Sequence, residues 1–329
     1  MSRLRLLLLL AGTGTLLAAV PAGATASPSS GIGEAQALTL LTAAATAART
    51  RTYSGTQYVS TWRPESSHVA DVRHTPASGS VVQVRPATSG DVAVSTDLDQ
   101  RLVGLLARHY DLAVAPDEPC TGRAAHVVEA RRPDGGVAGR FWVDATTSLV
   151  LRREVFDSAG GLLRSSAFSS LTVQPFIART AAAEPAQVDA TQLRQGGWSV
   201  PDELPGGLEL YDARTRTHDG VDVLHLSYSD GLSTLSLFAQ RGTLGSEPAH
   251  GFAKQQVGRA QVWVRSASSP RRVVWGGGGR VFTLLTDAPP EAVRDVVQAL
   301  PHDRAPRTGF LARIGRGLSR LASWLNPFD

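Results

Sequence analysis

The feature that most constrains the fold is a regular alternation of strand-like runs and turn-forming residues between positions 124 and 173. Four runs rich in apolar residues, many of them β-branched or aromatic, span Ala124–Arg131, Gly139–Asp144, Leu149–Asp157 and Leu162–Val173. The segments between them favour tight turns, as in Arg132-Pro-Asp-Gly-Gly136, where Pro presets φ and Gly accepts a positive φ. Turns at this spacing predict an antiparallel meander and not βαβ units.

Other patterns precede this meander. Ala37, Leu40, Leu41, Ala44 and Ala48 follow helical spacing and predict one helix that ends near Thr50. The stretch from 53 to 62 alternates as a half-buried strand does, 81–85 reads as a second strand, and 102–110 reads as a short helix. An antiparallel sheet of this kind buries one face, or curls around a cavity. We therefore expect a first domain at residues 33–177.

A second folded unit is predicted at residues 197–303, after a linker of small and polar residues at 178–196. The residues from Ser229 to Gly231 form a hairpin turn with glycine where φ must be positive, and Gly276–Gly279 form a flexible loop. Pro suits the first turn of the predicted helix at 289–300, and Pro301 ends it. The predicted strands are Leu208–Arg216, Val221–Ser229, Leu232–Gln240, Val257–Val264, Arg272–Trp275 and Arg280–Thr286.

The N-terminus has the organisation of a secretory signal peptide. Arg3 and Arg5 precede an apolar stretch, and Ala24-Thr-Ala26 fits the small-residue pattern of a signal-peptidase site. The alternative is a membrane anchor, but the apolar stretch is shorter than the roughly 20 residues that a spanning helix needs. We expect residues 1–26 to be removed and the protein to act in the periplasm or on the cell-wall side of the membrane.

The positive charge of the chain lies at its ends. The formal net charge is +4, of which the leader contributes +2 and residues 304–329 contribute +4, so that residues 27–303 carry −2. A nucleic-acid-binding domain carries its basic residues on a face of the fold, so this distribution argues against a nucleic-acid partner.

The basic tail at 304–329 has an amphipathic pattern. On a helical wheel its apolar residues share one arc, and its arginines lie on one flank. This pattern is typical of a helix on an anionic membrane surface, although a helix that docks on its own domain or on a partner looks the same. The membrane-surface candidates are Phe310, Arg313, Ile314, Arg316, Arg320 and Trp324.

Motifs for catalysis or metal binding are not found in the sequence. The eight histidines show no metal-ligand spacing, no G-x-S-x-G nucleophile elbow occurs, and the glycine cluster at Gly276–Gly279 lacks the Lys-Ser/Thr of a P-loop. The one cysteine, Cys120, cannot form an internal disulfide. We therefore expect a binding protein with no catalytic residues, no metal and no cofactor; an exported hydrolase with an unrecognised site is a lesser alternative.

Several segments resemble the MucB/RseB family of extracytoplasmic sigma-factor regulatory proteins. They are Tyr53-Ser-Gly-Thr, the block that starts at Gly122, Phe141-Trp-Val-Asp with the residues that follow it, Phe156-Asp-Ser-Ala-Gly-Gly, Phe168-Ser-Ser-Leu, and the hairpin His225–Phe238. The hairpin is the most specific of these. The order and spacing fit to about residue 300, and the basic tail is a departure from the family pattern.

This resemblance implies an α+β fold that is mainly antiparallel β: an open half-barrel, lipoprotein-carrier-like, plus a smaller antiparallel β/α domain. It also implies a negative regulator of an extracytoplasmic-function sigma factor. Such a protein binds the external domain of a membrane-spanning anti-sigma factor, and a lipid-like envelope signal is thought to release it. The alternative is a periplasmic or cell-wall carrier of lipid or lipoprotein.

The resemblance also suggests site residues. The candidates for a lipid cavity are Phe141, Trp142, Phe156 and Phe168, for which ordinary core packing is the alternative. The candidates for contact with the anti-sigma partner are Tyr228, Ser229, Asp230, Gly231 and Leu232, for which plain turn chemistry is the alternative.

Overall fold

Two eight-stranded antiparallel sheets, each with its own helices, make up the part of the chain that is described. The computed structural model describes residues 30–62, 65–76, 79–85, 98–174, 188–218, 221–245, 250–265, 271–286 and 290–303. The signal peptide and the amphipathic tail predicted at 304–329 lie outside these residues. The prediction of a mainly antiparallel α+β fold with open sheets is confirmed.

The first sheet is two meanders joined by the pairing of its first and last strands. Its elements are α1 (Ser30–Thr50), β1 (Tyr53–Trp62), β2 (Glu65–Thr75), β3 (Gly79–Arg85), α2 (Gln100–His109), β4 (Asp111–Ala115), β5 (Ala125–Arg131), β6 (Val137–Asp144), β7 (Val150–Phe156) and β8 (Leu162–Val173). The strand order is β3-β2-β1-β8-β7-β6-β5-β4, so the described strands form an open sheet with β3 and β4 at its edges. The prediction missed β2 and β4.

Helix α1 covers one face of this sheet with small residues. Ala37, Leu41 and Ala44 are fully buried against α2 and against Val128 and Phe141 of the sheet. Alanine at these positions lets the helix axis approach the strands closely, and this dense packing makes the core sensitive to volume changes. The spacing of the apolar residues predicted this helix correctly.

The second sheet carries the smaller helices. Its elements are α3 (Ala190–Gln195), β9 (Glu203–Leu204), β10 (Leu208–His218), β11 (Val221–Ser229), β12 (Thr234–Arg241), β13 (Ala253–Val257), β14 (Ala260–Arg265), β15 (Arg271–Gly277), β16 (Arg280–Thr286) and α4 (Pro290–Ala299). The strand order is β13-β14-β15-β16-β12-β11-β10-β9. Its core packs Trp275 and Phe282, stacked with centroids 5.3 Å apart, against Val296 and Val297 of α4.

Two details of the second unit differ from the prediction. The predicted linker, 178–196, ends in α3, whose Leu193 is buried in the second core, so the unit begins before residue 197. The predicted strand Val257–Val264 is two strands, because Gly258 adopts φ +57 and reverses the chain between β13 and β14.

The turn after β6 is built on a buried carboxylate. Asp144, 2% exposed, accepts hydrogen bonds from the backbone N–H groups of Thr146 and Thr147, at 2.9 and 2.6 Å, and from Arg123. Burial opposes its ionisation, but these hydrogen bonds outweigh burial and hold the pKa of the Asp144 carboxyl below its ordinary value.

We expect Asp144→Asn to lower the free energy of unfolding by about 2 kcal/mol, because Arg123 loses a charged acceptor. Asp134→Asn is the matched control, since Asp134 is exposed and caps its turn with one bond, to the Gly136 N–H at 2.9 Å. Urea unfolding of both variants measures the difference. Equal losses would contradict this role for Asp144.

The lowered pKa of Asp144 predicts that the free energy of unfolding depends on pH. Because the pKa of Asp144 is lower in the folded protein, its contribution is complete above the unfolded value of about 3.9 and is lost as the pH falls through the folded pKa. Unfolding free energies measured from pH 6 down to pH 3 should therefore fall less steeply for Asp144→Asn than for the parent. Parallel profiles would show that another group carries the effect.

Candidate functional site: a first-sheet cavity and the loop that docks beside it

The hairpin between β11 and β12 ends in a tightly bonded loop, residues 230–233, which we call the docking loop. The Asp230 carboxylate accepts hydrogen bonds from the N–H groups of Leu232 and Ser233, at 2.8 and 2.6 Å. The Ser229 hydroxyl donates to the Ser233 carbonyl at 2.8 Å, and Gly231 adopts φ +94. The loop is therefore held in one shape by its own side chains.

The docking loop inserts an apolar side chain into the core of the first sheet. Leu232 is 3% exposed and packs in the cluster that contains Leu106 of α2 and Phe141 of β6. The fit depends on glycine on both sides: a Cβ at Gly139 would overlap the Leu232 side chain, and a Cβ at Gly231 would lie 2.6 Å from the Leu106 nitrogen. Burial of one leucine stabilises this contact by about 1.5–3 kcal/mol.

Two polar contacts hold the loop in place. The Tyr110 hydroxyl donates a 2.7 Å hydrogen bond to the second Asp230 oxygen, and burial together with this negative charge raises the pKa of Tyr110 above its ordinary value. Arg153 of β7 donates to the Leu232 carbonyl, and its contact with the Gly231 carbonyl is longer, 3.4 Å. Hydrogen bonds that involve a charged group are stronger than those between neutral groups. The bonds from Tyr110 and Arg153 therefore fix the orientation of the docking loop on the first sheet.

An ion pair lies beside the docking loop. Arg108, at the end of α2, donates to Glu209 of β10 at 2.6 Å, and the His109 ring contacts the same carboxylate at 2.8 Å. The hydrogen bond from Arg108 lowers the pKa of Glu209 below its ordinary value. Tyr211 of β10 packs on the first-sheet core, and burial raises its pKa to about 12.

A small cavity lies under the last turn of α1, against the first sheet. Its volume is about 40 Å³, and its walls include Leu98, Phe141, Leu149, Phe168 and Arg153. A cavity of this size has room for a water molecule or a small polar group, whereas pockets for drug-sized ligands measure about 300–1,000 Å³.

The structure brings two of the four lipid-cavity candidates to this cavity. Phe141 and Phe168 line it, and Trp142 and Phe156 are not among its walls. Successive residues of a strand point to opposite faces, so Trp142 lies behind Phe141, where it donates to Glu118 at 3.0 Å. Phe156 is half-buried at the end of β7. A role for these residues in lipid binding stays a prediction.

The five partner-binding candidates are engaged within the chain. Tyr228 is fully buried and donates to the Pro201 carbonyl at 2.9 Å, and burial raises its pKa above the ordinary value. Ser229 is also fully buried, and the other three, Asp230, Gly231 and Leu232, belong to the docking loop. In this arrangement their contacts are with the first sheet and with the second core. The six tail candidates lie outside the described residues.

Comparison with known proteins finds a family model that matches part of the chain. The model of the MucB/RseB N-terminal domain matches residues 57–195. That segment of the chain is therefore similar to the MucB/RseB N-terminal domain. No curated protein sequence matches the chain significantly.

Three solved structures of MucB are similar to this chain. MucB in complex with MucA(peri) is 24% identical, with a TM-score of 0.44, and the match covers 81% of this chain and 99% of that one. The MucA/MucB complex of Pseudomonas aeruginosa is 24% identical, with a TM-score of 0.44 and coverages of 82% and 99%. MucB alone is 20% identical, with a TM-score of 0.48 and coverages of 80% and 98%.

Sequence reasoning missed the first-sheet residues that receive the docking loop. Tyr110 and Arg153 are 120 and 79 positions from their partners in the loop, and no local pattern signals a pairing at that distance. Among the described residues no group of three or more His, Cys, Asp or Glu side chains could hold a metal ion, and no helix is long and apolar enough to cross a bilayer.

We expect Gly231→Ala to displace the docking loop, because its Cβ would collide with the Leu106 backbone. Gly206→Ala is the matched control: Gly206 has nearly the same φ, +91, but nothing lies within 4 Å of its would-be Cβ. Both variants bear the left-handed strain of about 1–2 kcal/mol. Only Gly231→Ala should also raise amide hydrogen exchange at 230–233.

Similar exchange in the two variants would show that the loop does not depend on this close approach.

Proposed function

We propose that this chain is an extracytoplasmic regulator that binds the external segment of a membrane-spanning anti-sigma factor and thereby restrains an extracytoplasmic-function sigma factor. The observation that carries the proposal is the MucB/RseB domain at residues 57–195. One of the similar structures is MucB in complex with MucA(peri), and we carry a partner of that kind over to this chain. The role is one of binding and not of catalysis.

The leader supports the location. Arg3 and Arg5, the apolar stretch and Ala24-Thr-Ala26 form the pattern of a secretory signal, so the regulator would act outside the cytoplasmic membrane, where the external segment of its partner lies. With that leader removed, residues 27–303 carry −2, and the positive charge of the mature chain lies in the tail.

The contacts between the two sheets would let both contribute to one surface that binds the partner. Leu232 of the second sheet is buried in the first core, and Glu209 pairs with Arg108 of the first unit. A partner segment that contacts both sheets would therefore meet a preorganised surface, which reduces the entropy lost on binding.

The test is crosslinking of the mature protein in its native membranes, followed by identification of the captured chain. We expect a single-span protein with a cytoplasmic sigma-binding domain. The purified external segment of that protein should then bind the mature regulator directly, and binding should slow its proteolysis. Recovery of lipids or lipoproteins alone would overturn the proposal.

A lipid or lipoprotein carrier is the second candidate, and the cavity under α1 favours it. At about 40 Å³ this cavity would have to widen to take an acyl chain. A carrier needs the first sheet but not the second, so deletion of residues 197–303 should leave transport intact if this candidate is right. Native mass spectrometry that finds no bound lipid under any condition would exclude it.

A further inference from the structure

Two arginines share one tryptophan ring at an end of the second sheet. Arg241 ends β12 and Arg280 begins β16, and the two residues lie directly opposite each other in the antiparallel ladder. Their guanidinium carbons lie 5.9 and 5.3 Å from the centre of the Trp198 ring. The ring attracts both cations, but like charges at directly opposed positions destabilise a sheet. This pair of arginines therefore costs the fold stability.

Both arginines have hydrogen-bond donors that the fold does not use. Among the described residues neither of them pairs with a carboxylate, whereas Arg194 of α3 pairs with Asp202. Arg241 is exposed, and Arg280 donates to the Gly197 carbonyl while its Nε has no hydrogen-bond partner. Stacking on an aromatic ring uses the flat face of a guanidinium and leaves the N–H groups at its edge for planar anions.

Trp198 adds a neutral donor in a fixed position. Its side chain is half-buried against the core of the second sheet. Within the described part of the chain its indole N–H has no acceptor, whereas the indole N–H of Trp275 has one. The backbone around the ring is held by hydrogen bonds of 3.0 Å from Trp198 to Leu193 and from Gly242 to Gly279. The three side chains are therefore positioned before any ligand arrives, which reduces the entropy lost on binding.

The cluster of Trp198, Arg241 and Arg280 is separate from the docking loop. Strand β12 starts at Thr234, directly after the loop, and ends at Arg241. Its 8 residues span about 23 Å at the usual rise of a strand. The cluster thus lies at the far end of the strand from the contact between the sheets, and it stays accessible when the loop is docked.

The unused donors suit a peptide with acidic side chains. A carboxylate is planar and accepts two parallel hydrogen bonds from one guanidinium. In an extended peptide the side chains at alternate positions lie on one side, about 7 Å apart, which two arginines on the same ring can match. The carbonyl groups of such a peptide can also accept from an indole N–H.

We propose that Trp198, Arg241 and Arg280 form a binding site for an extended acidic peptide segment with carboxylates at alternate positions. Each carboxylate pairs with one guanidinium, and a peptide carbonyl accepts from the indole N–H. Binding offsets the repulsion between the two arginines. This inference goes beyond the proposed function, because its tests use synthetic peptides and need no anti-sigma partner. Its failure would therefore leave the proposed function standing.

The first test is titration of the full mature chain with a fluorescein-labelled Gly-Glu-Ser-Glu-Gly peptide that has no free termini, followed by fluorescence anisotropy. We expect the Glu peptide to bind about tenfold more tightly than the same peptide with Gln in place of Glu. The indole N–H NMR signal of Trp198, assigned with Trp198→Phe, should shift during the titration. Equal binding of the two peptides or an unmoved Trp198 signal would overturn the proposal.

A competition experiment separates a peptide site from a site for any anion. Inorganic phosphate should displace the Glu peptide no better than sodium chloride of equal ionic strength, because phosphate cannot place two acceptor groups at the spacing of alternate side chains. Displacement by phosphate alone would overturn the assignment to a peptide.

Matched variants distinguish the two arginines from the net charge of the chain. Arg241→Gln should weaken binding of the Glu peptide about tenfold. Arg259→Gln removes the same charge from the exposed turn between β13 and β14, and at physiological salt it should change the affinity by less than about twofold. Equal losses in the two variants would overturn the proposal.

A charge reversal separates loss of the site from loss of folding. Arg241→Glu places a carboxylate opposite Arg280, so it should raise the urea concentration at the midpoint of unfolding while it abolishes binding of the Glu peptide. Arg259→Glu is the matched control and should change neither quantity. A midpoint that falls in Arg241→Glu would contradict the unmet pair of charges on which the proposal rests. Binding that survives in this variant would overturn the site itself.

Discussion

The hydrogen bond from Tyr110 to Asp230 joins two sheets that otherwise have separate cores. Around it, Leu232 enters the first core, Arg153 holds the loop carbonyls, and Arg108 reaches Glu209. Asp230 is half-buried, and its carboxylate accepts hydrogen bonds from the Tyr110 hydroxyl at the end of α2 and from two N–H groups of its own loop. These hydrogen bonds offset the cost of removing its charge from water. The two sheets are joined by this loop and by the contacts of Glu209 and Tyr211 beside it.

Local patterns predicted most of the fold, because each strand and turn is decided within a few residues. Helix α1 and strands β5 to β8 lie close to where alternation and turn residues placed them. Strand β2 was missed because its central part, Ser-His-Val-Ala-Asp-Val-Arg, has few apolar residues, and its pairing with β1 on one side and β3 on the other holds it in the sheet. The turn at Gly258 was missed because a single glycine between strand-like segments is a weak signal of a turn.

The candidate site was less predictable, because its contacts join distant parts of the chain. The hairpin predicted to bind a partner is docked against the first sheet. The sequence around Ser229 and Gly231 does not show whether this turn contacts a partner or the protein's own first sheet. Phe141 and Phe168 were predictable as cavity walls, whereas Trp142, the next residue along β6, faces away from the cavity as strand alternation requires. The match to the MucB/RseB N-terminal domain covers residues 57–195. The docked loop adds a physical link between a cavity in one sheet and a hairpin of the other.

The most direct test of this link is a double-mutant cycle on Tyr110→Phe and Asp230→Ala, measured by urea unfolding of the mature chain. The cycle cancels the effect of Asp230 on its own loop and leaves the interaction between the sheets. If the loop docks as described, the coupling energy should be about 1.5–3 kcal/mol, as for a hydrogen bond to a charged group. Additive effects of the two substitutions would show that Tyr110 and Asp230 do not interact, which would contradict the docking of the loop as described.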